Sequence, residues 1–199
     1  MSAKPVIDII DDDEAMRHSV AFLLDVQGFE SRQHESANAF LNSAGGRGAD
    51  CIITDVRMPD MTGLELVRKL KSEGVVSPVI VMTGHGDIGL AVEAMKAGVI
   101  DFIEKPFANE TLISAVQEAL RRGHDPHDAR FDAERRLEAL SPRERDVLAG
   151  VVAGKVNKVI AHELEISPRT VEIYRANLMA KTGARNFSEL MRIALSAGL

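Results

Sequence analysis

Through the first 121 residues, short apolar runs alternate with longer stretches in which apolar and polar positions repeat at helical spacing. The runs VIDII (6–10), GFESRQH (28–34), CIIT (51–54), PVIVMT (78–83) and VIDFIEK (99–105) predict strands. The stretches 14–26, 36–44, 63–73, 87–97 and 109–121 predict the helices between them. Strands rich in β-branched residues, each followed by a helix, predict a parallel sheet covered on both faces. Five such units make an α/β, doubly wound, five-stranded parallel sheet. In that architecture functional groups collect beyond the carboxyl ends of the strands.

The pattern changes at RRGHDPHDAR (121–130), where Gly, Pro, Asp and His replace almost all apolar residues and predict a linker. FDAERRLEAL (131–140) regains helical spacing through Phe131, Leu137 and Leu140, and predicts a connecting helix. From Ser141 onward every element reads as helix. SPRE (141–144) is a capping box with proline at the first helical position, and its helix runs to near Gly154. A second helix follows over 157–164, and a third begins at ISPRT, capped by Ser167, and ends at Gly183. SELMRIALSAG (188–198) predicts a fourth. The chain therefore divides into residues 4–121, a linker over 122–136 continuing into a helix, and a smaller all-α domain over 137–199.

Composition adds limits. In 199 residues there is no run of membrane-spanning length, no Trp and one cysteine, Cys51, inside an apolar run where it reads as a small buried hydrophobe. Met1–Pro5 carries no apolar signal region, so a cytoplasmic protein is expected. The net charge of −6 is unevenly spread: residues 1–121 hold 11 Lys and Arg against 19 Asp and Glu, and residues 122–199 hold 13 against 11. An acidic front and a mildly basic back suit two domains with different partners. The small basic surplus does not by itself mark a nucleic-acid binder.

Chemistry gathers where the strands end. Asp11, Asp12 and Asp13 end the first, Asp55 ends the third, Thr83 ends the fourth with Gly84 after it, and Lys105 and Pro106 end the fifth. A parallel sheet brings these groups to one edge. Clustered carboxylates repel unless a cation offsets them, and oxygen ligands with several waters suit Mg²⁺. A carboxylate beside a metal can act as a nucleophile toward phosphorus, with the metal and Lys105 neutralising the phosphoryl oxygens. Thr83 can donate its hydroxyl to such an oxygen, and Gly84 leaves the backbone free to approach.

IDDD, TDVRMPDMTG, VMTGHGD and DFIEKPF together resemble the full signature of the receiver domain of bacterial response regulators, over residues 4–121. The resemblance implies a flavodoxin-like fold with Asp55 as phosphoacceptor and Mg²⁺ or Mn²⁺ as cofactor. It implies Asp12 as a direct metal ligand, Asp11 acting through water, and the Arg57 backbone carbonyl as a further ligand beside Asp55. Thr83 and Lys105 become a switch pair, Phe102 the aromatic that follows Thr83, and Lys105–Pro106 a cis peptide. Asp13 and Asp60 read instead as helix-start and turn residues. His85 reads as a surface residue that modulates access, and AVEAM (91–95) as a buried helix face with a partner-facing edge.

Helices 157–164 and 168–182, joined by a tight turn at EIS, have helix-turn-helix spacing, in which the second helix enters the major groove. On 168–182 an inner stripe holds Val171, Tyr174, Leu178 and Thr182, and an outer one Arg169, Glu172, Ile173 and Ala176. Arg175, Asn177 and Lys181 flank it. An outward Ile and Ala suit thymine methyls, and flanking cations suit phosphates. The segment from LSPRERDVL to AKTGA resembles the LuxR/NarL-type DNA-binding domain. That likeness implies Glu172, Ile173 and Ala176 facing bases, with Asn157, Lys158, Arg169, Thr170, Arg175 and Lys181 as phosphate contacts.

The combined resemblance is to a two-component response regulator. It implies phosphoryl transfer from a sensor histidine kinase, homodimerisation, promoter DNA binding with RNA polymerase as a further partner, and no membrane association. Catalysis would be confined to the receiver's own phosphorylation and dephosphorylation. An oxygen-responsive role in microaerobic or nitrogen-fixation genes is also implied. The alternatives are the same regulator serving another stimulus, such as nitrate or an aromatic compound, or an interaction module whose helices bind protein. A phosphatase of the aspartyl-phosphate type needs a second acid two residues after the nucleophile, where this chain has Arg57.

Overall fold

The computed structural model describes residues 4–43, 48–84, 88–122 and 127–199. Five parallel strands, β1 (Val6–Ile10), β2 (Glu30–His34), β3 (Cys51–Asp55), β4 (Val79–Thr83) and β5 (Asp101–Glu104), form one sheet in the order β2-β1-β3-β4-β5. Helices α1 (Glu14–Val26), α2 (Ala37–Asn42), α3 (Gly63–Ser72), α4 (Ile88–Lys96) and α5 (Asn109–Arg122) alternate with them. This is the doubly wound sheet that the pattern predicted.

Burial follows the alternation of side chains along each strand. Ile7, Ile9, Cys51, Ile53, Ile80, Met82 and Ile103 share one core with Val20 and Leu24 of α1 and Leu112, Val116 and Ala119 of α5. The intervening Ile10, Ile52 and Val81 turn to the opposite face, and Phe40, Leu66 and Leu70 are buried as well. Every residue of β3 and β4 is buried, as a two-sided cover requires. Edge strand β2 is the exception, with no buried position.

The remaining helices are α6 (His127–Glu138), α7 (Pro142–Val152), α8 (Asn157–Glu163), α9 (Pro168–Thr182) and α10 (Phe187–Ser196). The linker expected over 122–136 is thus largely helix. α6 begins at His127, ahead of the apolar spacing at 131, because no Gly or Pro follows Pro126 to stop it. Both predicted caps form. Ser141 and Glu144 make a reciprocal capping box at α7, and Ser167 accepts from the Thr170 amide at α9. Gly183 ends α9 at φ 66°, a left-handed conformation in which glycine carries no Cβ penalty.

Contacts group the chain into two units, Met1–His85 with Ala97–His124 and Gly86–Lys96 with Asp125–Leu199. In the second unit Leu137, Leu148, Val151, Ile160, Val171, Leu178, Leu190 and Met191 form a continuous core. Val92 and Met95, from the AVEAM stretch of α4, belong to this core. The stretch is a buried face, as its spacing predicted, and it groups with the helical unit.

Candidate functional site

The order of the sheet decides which acids meet. The chain runs outward from β1 to β2 on one side and to β3 on the other, so a crevice opens beyond the ends of β1 and β3. Asp11, 1% exposed, follows β1, and Asp55 closes β3. Lys105 enters from beyond β5 and bridges them, its Nζ 2.7 Å from Asp11 Oδ2 and 2.6 Å from Asp55 Oδ1. The second Asp55 oxygen accepts the Arg57 amide at 2.6 Å, and the second Asp11 oxygen accepts the Asp13 amide at 2.9 Å. Thr83 ends β4 as a buried residue, and its carbonyl accepts the Lys105 amide at 2.6 Å. Phe102 lies half-buried on β5 beside Val81 of β4. The Lys105–Pro106 bond is cis.

The electrostatics follow from burial. Desolvation lifts the Asp11 carboxyl above its ordinary range, against the lowering pull of Lys105 and the Asp13 amide. Burial acts to lower the Lys105 ammonium, but its hydrogen bonds to Asp11 and Asp55 outweigh this and hold it above the usual value. Asp12 stands exposed at the mouth. Among the described residues no three His, Cys, Asp or Glu side chains are gathered as a metal cage. The groups that do meet, the Asp11 and Asp55 carboxylates, offer hard oxygen. That chemistry fits a hard divalent cation, whose charge would share the space Lys105 now bridges.

Asp13 caps α1, accepting from the Ala15 and Met16 amides. Asp60 is a turn residue with a second task, accepting the Asn38 amide of α2 at 2.8 Å. His85 lies outside the described residues. Two features escaped the sequence. Arg17 reaches back from α1 to donate to the Asp11 carbonyl at 2.7 Å. Asp8, wholly buried on β1, is held by both guanidinium arms of Arg32 at 2.8 Å and by His34 at 3.0 Å. The signal available for Asp8 was an acid in the middle of the apolar run VIDII.

In the helical unit, α8 and α9 pack as a helix-turn-helix. Val171, Leu178 and Thr182 are buried and Tyr174 is half-buried, whereas Arg169, Glu172, Ile173 and Ala176 are exposed, Ile173 at 55%. Lys158 is exposed on α8, and Thr170 is half-buried with its hydroxyl 2.8 Å from that of Ser167. Lys181 is paired with Glu144 at 2.8 Å, and Arg175 donates to Asn157 Oδ1 at 2.9 Å. Glu144 is 3% exposed, and Lys181 with the Ser141 amide holds its carboxyl down at about 2.

A parallel sheet with a Lys-bridged acid pair at its carboxyl edge and a separate helix-turn-helix define a response regulator, and the chain belongs to that family. Residues 7–117 match the response regulator receiver domain, and residues 138–194 match the luxR family of bacterial regulatory proteins. The chain is 46% identical over 202 residues to the transcriptional regulatory protein FixJ of Bradyrhizobium diazoefficiens, covering 100% of this chain and 98% of that protein. It is 51% identical to FixJ of Azorhizobium caulinodans, covering 97% and 93% respectively. The crystal structure of full-length FixJ from B. japonicum matches with a TM-score of 0.59, at 46% identity over 99% of this chain and 98% of that one. The chain is a FixJ-like two-component response regulator with a receiver and a LuxR-type DNA-binding domain.

Proposed function

We propose that Asp55 is the phosphoacceptor and that its phosphorylation controls binding of α9 to promoter DNA. The observation that carries this is the Lys105 bridge between Asp11 and Asp55, which collects charge from three separate strands around one nucleophile. In the step, an Asp55 oxygen attacks phosphorus and the bond from phosphorus to the kinase's histidine nitrogen breaks. The electron pair leaves with that nitrogen, which then takes up a proton. Arg57 keeps the other Asp55 oxygen oriented through its amide. Asp11, Asp12, Asp55 and the Arg57 carbonyl would hold Mg²⁺ or Mn²⁺, which supplies charge neutralisation at the phosphoryl oxygens. Lys105 and the Thr83 hydroxyl grip the transferred group, and Phe102 responds to Thr83, shifting a two-state equilibrium toward the dimer.

The receiver domain is assigned to residues 4–121, the linker to 122–136 and the output domain to 137–199. On the DNA side, Glu172, Ile173 and Ala176 face base edges, and Lys158, Arg169 and Thr170 serve phosphates. Asn157, Arg175 and Lys181, also candidates for phosphates, have internal partners. The donor is a sensor kinase, FixL-like given the FixJ relatives, and the regulon concerns oxygen or nitrogen fixation, with RNA polymerase as a further partner in the cytoplasm. The test is incubation of the full chain with ³²P-acetyl phosphate and Mg²⁺. Asp55→Asn should abolish stable label, and labelling at the wild-type rate would remove Asp55 from the role. A mobility shift with and without phosphodonor tests the link to DNA.

A further inference from the structure

A cation on the recognition helix of a DNA-binding domain reads as a phosphate contact, and Arg175 fits that reading from sequence. Its surroundings do not. At 3.6 residues per turn, Arg175 lies about 120° around α9 from the outward stripe of Arg169, Glu172, Ile173 and Ala176. Its side chain turns inward: Nη1 donates to Asn157 Oδ1 of α8 at 2.9 Å, and the guanidinium lies 5.4 Å from the ring centre of Phe187, the first residue of α10. Phe187 itself packs against the helical core. One side chain of α9 thus touches two other helices, α8 and α10.

We propose that Arg175 is a positioning residue for DNA recognition, a strut that fixes α9 against α8 and α10 and makes no phosphate contact itself. The choice of partners supports this. A half-buried cation is usually matched by a carboxylate, but here an amide oxygen and an aromatic face hold the guanidinium. Neutral partners orient the side chain without placing a negative charge behind the surface that meets DNA. Loss of solvent around the guanidinium also lowers its proton affinity from the usual value, in keeping with a group withdrawn from water. The planar guanidinium can stack and donate at once. A lysine ammonium keeps the charge but cannot lie flat on the ring while reaching Asn157. Asn157 opens α8 and is engaged by the same bond, so it belongs to the strut too.

The test uses full-length protein treated with acetyl phosphate and two fluorescent duplexes. One is selected by the wild type from a random library, and the other is an unrelated duplex of equal length. Affinities are read by anisotropy from 50 to 200 mM KCl. Arg169→Ala calibrates a phosphate contact and should flatten the salt slope by about 0.9. Arg175→Lys keeps the charge and should weaken binding to the selected duplex about tenfold, with an unchanged slope and unchanged binding to the unrelated duplex. Asn157→Ala should do the same, and the double variant should be no weaker than either single one, as expected of coupled partners. Loss of the strut lowers the ratio of selected to unrelated affinity, which general destabilisation would not. If Arg175→Lys fails to fold by circular dichroism, Phe187→Leu, which removes the ring and leaves the charge, should reproduce the loss at constant slope. Arg175→Lys binding like wild type, or additive losses in the double variant, would overturn the proposal. Absence of wild-type binding to any duplex would overturn the DNA reading instead.

Discussion

Gly63 offers the sharpest test of how the phosphoacceptor strand is held. It opens α3, and its amide donates to the Val56 carbonyl at 2.9 Å. A Cβ at this position would lie 2.2 Å from the Asp55 carbonyl oxygen, 3.1 Å from its carbon and 3.3 Å from Thr54 Cγ2. Ordinary contact needs the two backbones to part by about 1 Å, and overpacking of this kind costs about 1–3 kcal/mol. Neither side yields easily. β3 is buried throughout and continues into the Val56 amide bonded to Met82 at 2.9 Å, while α3 is pinned by the reciprocal capping box of Thr62 and Glu65. If the strand end moves instead, Asp55 shifts against Lys105 and Arg57, and misplacement by 1 Å can cost about 100-fold in rate. Gly63→Ala should therefore lose about 2 kcal/mol in urea unfolding followed by circular dichroism. Its initial rate of phosphorylation by acetyl phosphate, read on a phosphate-affinity gel, should fall at least tenfold. Gly84→Ala is the stability control, because its Cβ meets nothing within 4 Å. A Gly63→Ala protein as stable as wild type and phosphorylated at the same rate would refute the account of this close approach.

Three further outcomes are expected. Phe40→Ala empties a site with no solvent exposure and should cost about 3–5 kcal/mol in urea unfolding; a loss below 1 kcal/mol would mean the site collapses freely. Asp60→Ala removes the acceptor of the Asn38 amide and should cost about 1 kcal/mol, the scale of a lost N-cap, with faster hydrogen exchange at Asn38. Asp60→Asn keeps an oxygen there and should lose less, and equal exchange in all three proteins would place the cap elsewhere. Lys181 and the Ser141 amide favour the Glu144 carboxylate and hold its carboxyl down at about 2, below the usual 4.5 of a glutamate. Its stabilisation is present above pH 4.5 and is lost as pH falls toward 2. Glu144→Gln should therefore flatten the fall in melting temperature between pH 5 and 3, and parallel acid limbs would sink this assignment.

The elements were legible because their causes are local. α1 over 14–26 and α9 over 168–182 match the predicted spans to the residue, since Asp13, Ser167, Pro168 and Gly183 mark their ends chemically. Apolar runs of β-branched residues identified β3 and β4, because a strand covered on both sides needs no polar alternation. The early start of α6 was not legible. Its first turn carries no apolar spacing, and helix there depends on the absence of a stop signal. The inward Arg175 was hidden for a different reason. Helical spacing gives the direction of a side chain around α9 but not the helix it meets, and Phe187 and Asn157 lie 12 and 18 residues away.

Sequence alone determined the list of reactive groups, since acids, a hydroxyl and a lysine stand just beyond apolar runs. Tertiary structure decided how they are joined. The order β2-β1-β3-β4-β5 sets Asp11 and Asp55 at the ends of neighbouring strands, and Lys105, 94 residues from one and 50 from the other, lies between them. Local propensity cannot encode that meeting. It depends on strand order and register, which the whole core fixes by burying one set of alternating side chains on each face of the sheet. Asp8 makes the same point within one strand: a polar residue in an apolar run is tolerated because Arg32 and His34, both on β2, meet it in the fold.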